Sequence, residues 1–263
     1  MKVDYKNWMP KGMIVGFFTG AAISLLLIPV FGCTTLIHNS YLRTFFTIAL
    51  TVSFMIFASM TVWSYLMYKA FDYNGNRKMS KQIIEGTASL IHVPEKGTVL
   101  DVGCGSGALT IAVAKNHPDA FVIGIDRWGK EYSSFSRKLC EQNAEAEEVS
   151  NVRFQKGDAT HLDFRDETFD AVTSNYVYHN IPSKNRQDLI LETLRTLKKG
   201  GSFVIHDIFS VSKYGDMQKV IKKLKDMGYQ EVNLIDTTDG MFMSRSESTW
   251  MALSGSALLT GIK

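Results

Sequence analysis

Two long stretches near the N-terminus contain no charged residue, and they constrain the fold of this chain more than any other feature. They run from Met13 to Phe31 and from Phe45 to Tyr68, over 19 and 24 positions. As α-helices they would be about 28 and 36 Å long, enough to cross a hydrocarbon core of about 30 Å. A cleavable signal peptide and a buried core helix are the alternatives for the first and second stretch. Both stretches are apolar on every face, which favours a membrane anchor with two transmembrane helices over residues 1–70.

Basic residues on either side of the two stretches predict the orientation of the anchor. Lysines precede the first stretch, and lysines and an arginine follow the second. The connecting loop of residues 32–44 contains a single Lys or Arg residue, Arg43. Positively charged flanks stay on the cytoplasmic side of a membrane. The sequence therefore predicts a multi-pass protein of the cell membrane, with both termini and the catalytic domain in the cytoplasm.

The charge distribution limits the class of partner. Residues 1–70 carry five Lys and Arg against one Asp, which gives a net charge of +4. Because the whole chain has a net charge of +3, the remaining residues have a net charge near −1. Such a distribution gives no broad basic surface, and it predicts no nucleic-acid partner. The three cysteines have no paired spacing, and we predict no metal site.

After the anchor, residues 71–80 form a predicted juxtamembrane linker, and residues 81–263 are predicted to form one α/β domain. Short apolar runs alternate there with helical segments, a pattern typical of a parallel sheet that helices cover on both faces. The predicted strands are Val99–Val102, Phe121–Ile125, Val152–Gln155, Phe169–Thr173, Phe203–His206, Glu231–Asp236 and Ala257–Gly261. The predicted helices lie near residues 107–116, 130–144, 186–198 and 215–227.

The first predicted strand leads into a glycine-rich loop, and residues 99–107 read VLDVGCGSG. Glycines let a ligand approach the backbone closely, and the helix that follows presents unpaired N–H groups. The pattern Gly103, Gly105, Ala108 with an acidic residue at Asp126 is compatible with a nicotinamide dinucleotide, which leaves an NAD(P)-dependent oxidoreductase as an alternative. However, Asp101 directly before the turn would repel a pyrophosphate, whereas it suits an ammonium or sulfonium ligand.

Further motifs follow at fitting intervals, and with them the sequence resembles the class I S-adenosyl-L-methionine (SAM)-dependent methyltransferases. The family's second-strand acidic residue matches Asp126 in VIGIDRW, and its third-strand motif matches Asp158 in GDAT. FDAVTSNYVYHNIP resembles its fourth-strand motif, and LKKGGSFVIHD resembles the turn into its fifth strand. The resemblance covers about residues 78–263. It implies SAM as cofactor and a Rossmann-like, doubly wound seven-stranded sheet, mostly parallel with the last strand antiparallel.

The resemblance also assigns roles around the cofactor. The three loop glycines would pass under the methionine portion, and Asp101 would hold its amino end. Asp126 would accept hydrogen bonds from both ribose hydroxyls, and Asp158 with the Ala159 backbone would bind the adenine edge. Trp128 would cover the adenine, with an interface or core role as the alternative. The predicted cofactor-binding residues are Asp101, Gly103, Cys104, Gly105, Gly107, Asp126, Arg127, Trp128, Gly157, Asp158, Ala159 and Asn175.

Candidate catalytic residues follow the fourth and fifth predicted strands. Tyr176 and His179 come just after the fourth strand, and His206 ends the fifth beside Asp207, at the edge where open α/β sheets bind ligands. The alternative for each histidine is a hydrogen-bonded structural residue. A general base is needed only if the methyl acceptor arrives protonated.

The form of the fourth-strand motif, without an Asn/Asp-Pro-Pro-aromatic sequence, resembles the branch that methylates small molecules, quinones and lipids. The sequence thus predicts a membrane-anchored methyltransferase with a small-molecule or lipid-like acceptor. A SAM-binding sensor or scaffold without turnover is the alternative from another class.

Overall fold

A computed structural model describes residues 2–129 and 134–263 of the chain. The chain forms two compact units. One consists of Asn7–Ser80, and the other consists of Lys81–Lys263 together with the N-terminal residues up to Lys6. The predicted boundaries after residues 70 and 80 stay a prediction.

The first unit is built on two long helices, α1 (Lys11–Cys33) and α2 (Ser40–Phe71). Both are long and apolar enough to cross a membrane, and the two predicted spans lie inside them. The Asn39 side chain accepts hydrogen bonds from the first backbone N–H groups of α2 and so fixes where this helix begins. The ring of Phe31 stacks on that of Phe46, with the centroids 5.7 Å apart.

The remaining elements mostly alternate along the chain as the sequence predicts, and the helices Met79–Ser89, Val211–Tyr214 and Arg245–Trp250 were not predicted. The helices are α3 (Met79–Ser89), α4 (Ala108–Asn116), α5 (Arg137–Ala146), α6 (Gln187–Arg195), α7 (Val211–Tyr214), α8 (Met217–Asp226) and α9 (Arg245–Trp250). The strands are β1 (Thr98–Val102), β2 (Phe121–Asp126), β3 (Val152–Lys156), β4 (Phe169–Asn175), β5 (Leu197–Ile208), β6 (Gln230–Asp236) and β7 (Ser256–Ile262).

The strands form one seven-stranded sheet in the order β3-β2-β1-β4-β5-β7-β6. The first five pair in parallel, whereas β7 runs antiparallel to both β5 and β6. The predicted fold class, a doubly wound Rossmann-like sheet with an antiparallel last strand, is therefore confirmed. Fully buried side chains such as Leu100, Val172 and Phe203 form the core between sheet and helices. The strand order reverses between β1 and β4, and this switch point is where such sheets bind ligands.

Several boundaries differ from the predicted ones for local reasons. The helix expected over residues 130–144 begins at Arg137, because the Ser136 hydroxyl caps it by accepting from the Leu139 N–H at 3.1 Å. Residues 130–133 of that prediction lie outside the described residues. The strand expected at Phe203–His206 begins at Leu197, which pairs with Phe169 across an irregular step in the register. The helix predicted over 186–198 accordingly ends at Arg195.

Candidate active site

The predicted cofactor residues all lie at one edge of the sheet, where the parallel strands β1 to β4 end. The glycine loop follows β1, Asp126 ends β2, Gly157 to Ala159 follow β3, and Asn175 ends β4. The structure thus brings together residues that are up to 74 positions apart in the chain. Their binding roles stay predictions.

The glycine loop has a conformation that requires glycine at two of its positions. Gly103 and Gly107 have φ angles of 76° and 84°, in the left-handed region. A Cβ atom at Gly103 would overlap the Val177 side chain, and one at Gly107 would come within 3.2 Å of the Cβ of Cys140. The N–H groups of Gly103 and Cys104 both donate to the Ile125 carbonyl, at 2.8 and 2.9 Å, which ties the loop to β2.

Asp126 connects this loop to the segment after β2. One carboxylate oxygen accepts from the Gly105 N–H at 2.9 Å, and the other accepts from the Trp128 N–H at 2.7 Å. The Trp128 indole N–H donates back to the Gly105 carbonyl at 3.0 Å. Each carboxylate oxygen has two lone pairs, so both oxygens retain capacity to accept from a pair of hydroxyls. The two acceptor oxygens of Asp126 fit the two hydroxyls of a ribose.

Asp101 is a buried carboxylate beside the same loop. Its side chain is 1% exposed and accepts a hydrogen bond from the Thr110 hydroxyl at 2.6 Å. Burial raises the pKa of Asp101 to about 7, against a hydrogen bond from Thr110 that lowers it and the negative charge of Asp126 that raises it further. A cationic group beside Asp101 would restore its ionised form, which fits the amino end of SAM.

This raised pKa predicts that SAM binding depends on pH. Because a bound cation favours the ionised carboxylate, binding releases a proton, and the affinity should fall about tenfold between pH 8 and pH 6. In the ligand-free protein, stability changes with pH in the opposite direction to SAM affinity. The contribution of Asp101 to the free energy of unfolding is greatest below about pH 4 and is lost as the pH rises through about 7. Calorimetric titration with SAM over this pH range measures the first effect. The variant Asp101→Asn should bind SAM more weakly and remove the pH dependence, and an equal slope in both proteins would contradict the assignment.

The third-strand residues lie on a turn at the surface. Asp158 accepts from the backbone N–H and the hydroxyl of Thr160 at 2.8 and 2.7 Å, and these bonds hold the pKa of Asp158 below its usual range. Gly157 donates to the Asp126 carbonyl at 3.0 Å. Arg127 is exposed, while Ala159 is half-buried. Asp158 is therefore ionised and exposed, as an acceptor for an adenine amine requires.

The structure also brings together the three predicted catalytic residues. The Tyr176 ring lies 4.5 Å from the His206 ring and 5.8 Å from the His179 ring, measured between centroids. Tyr176 has a positive φ of 55°, and its hydroxyl lies 2.7 Å from that of Ser256. Burial raises the pKa of Tyr176 well above its ordinary value, so its hydroxyl stays protonated near neutral pH.

His206 is fully buried and has both ring nitrogens engaged. Nδ1 lies 2.8 Å from the Asn175 side-chain oxygen, and Nε2 lies 3.0 Å from the Thr237 hydroxyl. Burial lowers the pKa of His206 to about 3, so the ring is neutral at physiological pH. The catalytic role predicted for His206 stays untested, and these contacts favour a role in holding Asn175.

His179 forms a hydrogen-bonding contact with Asp207 that the sequence did not reveal. Its Nδ1 lies 2.5 Å from an oxygen of Asp207, whose side chain is fully buried, and the His179 side chain keeps 12% of its surface exposed. Asp207 also accepts backbone N–H bonds from Tyr178 at 2.9 Å and from Ile208 at 2.6 Å, which fix the carboxylate. The adjacency of β4 and β5 was the one available signal, because residues that follow neighbouring parallel strands meet at the same edge.

Comparison with known proteins gives the family. The family described as "Methyltransferase domain" matches residues 94–251. The chain belongs to this family. The resemblance of this domain to SAM-dependent methyltransferases is thereby confirmed, together with the enzyme class and the cofactor SAM that it implied, and the nicotinamide alternative is set aside.

Two curated relatives of this methyltransferase domain have the same name. Demethylmenaquinone methyltransferase of Lactiplantibacillus plantarum is 37% identical over 120 residues, which are 45% of the chain and 48% of that protein. The protein of that name from Bacillus licheniformis is 31% identical over 155 residues, 58% of the chain and 63% of the relative. The chain thus spans about half the length of the first and less than two thirds of the second.

A solved structure shows the same fold for the methyltransferase domain. Geranyl diphosphate methyltransferase in complex with GPP and sinefungin has a TM-score of 0.55 to the chain at 16% identity. The alignment covers 74% of the chain and 82% of that structure.

Proposed function

We propose that this protein is a membrane-anchored methyltransferase that transfers a methyl group from SAM to a small, lipid-like acceptor with a weakly acidic proton, of the quinol type. The observation that carries the proposal is the pairing of His179 with buried Asp207 beside the cofactor loop. Val177, two residues before His179, packs directly over Gly103. A quinone-type acceptor is further supported by the name of the two curated relatives, demethylmenaquinone methyltransferase.

The paired residues suit the work of a general base. When bound, SAM supplies an electrophilic methyl group on a sulfonium. Asp207 lies 2.5 Å from Nδ1 of His179. By accepting from Nδ1, it would leave Nε2 as the basic nitrogen. His179 would take the acceptor's proton as the new bond to the methyl forms and the carbon–sulfur bond breaks. Deprotonation raises the nucleophilicity of the acceptor, which is the contribution expected of a positioned base.

The cofactor would be held by the residues predicted for it. Asp126 has the two acceptor oxygens for the ribose hydroxyls, the buried Asp101 supplies negative charge for the amino end, and Asp158 accepts at the adenine edge. The loop glycines leave room for the methionine portion because side chains are absent there. Positioning of the acceptor and exclusion of water then account for most of the remaining rate enhancement.

The two apolar helices support a site of action at the membrane. Large apolar side chains along them are exposed within their own unit, such as Leu26 at 70% and Phe45 at 64%. A core helix would bury such residues, whereas a membrane span presents them to lipid. We place the chain in the cell membrane with both termini and the methyltransferase domain in the cytoplasm. An anchored enzyme meets an acceptor that is dissolved in the same bilayer at high local concentration.

Transfer of a labelled methyl group tests the proposed acceptor class. The full-length protein in lipid nanodiscs is incubated with methyl-labelled SAM and, separately, with lipid extract, soluble protein and RNA. We expect label only in the organic phase of the lipid extract, and more of it when the quinones in the extract have been reduced. Label in protein or RNA would overturn the acceptor class, and SAM binding without any transfer would indicate a sensor or scaffold.

A further inference from the structure

Asp4 and Tyr5, which precede the first apolar helix, lie against the glycine loop. Asn143 in α5, which is 1% exposed, connects the two segments. Its side-chain oxygen accepts from the Asp4 N–H at 2.8 Å, and its side-chain NH₂ donates to the Asp4 carbonyl and to the Ser106 carbonyl, both at 3.0 Å. The Asn143 amide thus connects Asp4, which lies 139 positions away in the chain, to Ser106 in the glycine loop.

A second set of contacts fixes the same segment. The Ser106 hydroxyl donates to the Tyr5 carbonyl at 2.7 Å, and both residues are buried, at 5% and 6% exposure. The Tyr5 hydroxyl donates to Glu147 at 3.2 Å, and Glu147 accepts from Lys115 at 2.7 Å. We refer to the backbone of Asp4 and Tyr5, with Ser106 and Asn143, as the N-terminal clasp.

Polar groups buried to this degree must be hydrogen-bonded, and the clasp satisfies them mutually. Removal of one partner leaves buried donors and acceptors unpaired, so the loop would shift to regain water or other partners. The carbonyl and the hydroxyl of Ser106 are both held by the clasp. Its neighbour Gly105 donates to Asp126 and accepts from Trp128.

We propose that the N-terminal clasp is a positioning element of the cofactor site, which holds the glycine loop in its binding conformation before SAM arrives. A loop with three glycines is costly to order, because glycine loses more conformational freedom than any other residue. Ordering by the clasp removes that cost from the binding step, as preorganisation does in general. The segment that precedes the apolar helix α1 would then contribute to cofactor affinity. This inference rests on the proposed assignment of the glycine loop to SAM.

SAM binding to the full-length protein in detergent tests the clasp, because it needs no methyl acceptor. We expect Asn143→Ala and a deletion of residues 2–5 each to weaken SAM binding about tenfold, measured by calorimetry. Ser106→Ala, which removes one hydroxyl, should give a smaller loss in a protein that keeps the other clasp bonds. If Asn143→Ala fails to fold, the deletion variant and Ser106→Ala decide.

Asn151 offers a matched control. Its side-chain NH₂ also ties backbone together, by donating to the carbonyls of Ala114, His117 and Ala120 at 3.2, 3.2 and 2.8 Å. Those contacts lie before β2, away from the glycine loop. Asn151→Ala should lower the melting temperature and leave SAM affinity within a factor of two.

The outcomes separate the two proposals. Unchanged SAM affinity in the clasp variants would contradict the proposed role of the clasp. An equal loss of SAM affinity in Asn151→Ala would contradict it too, because the clasp would then only stabilise the fold. Asp126→Ala in the same assay reports on the loop assignment itself. Loss of SAM binding in Asp126→Ala with normal binding in the clasp variants would support the assignment of the glycine loop to SAM and contradict only the proposed role of the clasp.

Discussion

Replacement of Asp126 by alanine should weaken SAM binding about a hundredfold. The carboxylate is expected to accept from two ribose hydroxyls, and hydrogen bonds to a charged group contribute about 1.5–3 kcal/mol each. Two such bonds correspond to at least a hundredfold in the dissociation constant, since about 1.4 kcal/mol is tenfold. The substitution also removes the acceptor for the Gly105 and Trp128 N–H groups, which frees the loop. Calorimetry with SAM measures the loss directly.

Asp170 provides the matched control for this variant. It is a half-buried aspartate that accepts from the Thr98 N–H at 2.8 Å, from the Thr98 hydroxyl at 2.9 Å and from Lys198 at 2.8 Å, at the opposite edge of the sheet. Asp170→Ala should cost stability and leave SAM affinity within a factor of two. The milder Asp126→Asn keeps one acceptor oxygen and should lose about tenfold. Wild-type affinity in Asp126→Ala would show that the ribose assignment is wrong.

Replacement of His179 by glutamine should lower kcat by about 10²–10⁴-fold, the range expected for loss of a general base. SAM affinity should stay within a factor of two, because His179 is assigned to the acceptor and not to the cofactor. Asp207→Asn should lower kcat as well, since it removes the charge that orients the imidazole. The deficit of both variants should shrink as the pH is raised, because an acceptor that ionises in solution no longer needs the base. Steady-state rates across pH with a quinol acceptor measure all three effects.

His117 is the control for the loss of an imidazole. It follows α4 just before β2, at the amino edge of the sheet, and its backbone N–H donates to Val113 at 3.0 Å. His117→Gln should leave kcat and its pH profile unchanged. If His179→Gln retains the full rate at neutral pH, the acceptor reacts without a base and the role of the His179–Asp207 pair is structural.

The alternation of apolar strands and helices predicted the sheet because each signal is local. Strand runs such as Phe121–Ile125 are rich in aromatic and β-branched residues, and the loop glycines mark a turn by composition alone. The start of α5 at Arg137 was missed, although Ser136 is a typical capping residue. The early start of β5 at Leu197 was missed because Lys198 to Gly201 reads as a loop, and only pairing with β4 makes it a strand.

The contacts at the site depend on information that a single sequence does not contain. The pairing of His179 with Asp207 requires the register of two strands and the 3₁₀ turn at Tyr178–Asn180. The clasp joins Asp4 to Asn143, and neither residue carries a motif that predicts its partner. The neutral state of His206 follows from full burial, which the sequence did not show. Residue types at strand ends were therefore predictable, and their hydrogen-bond partners were not.

Mass spectrometry of a reduced lipid extract shows directly whether this protein methylates a lipid-like acceptor. The extract is incubated with SAM and either the wild-type protein or Asp126→Ala, and the lipids are compared before and after. We expect a quinol that becomes heavier by one methylene group with the wild-type protein only. An unchanged lipid profile, together with methylation of soluble protein or RNA in parallel incubations, would show that the acceptor is not a lipid.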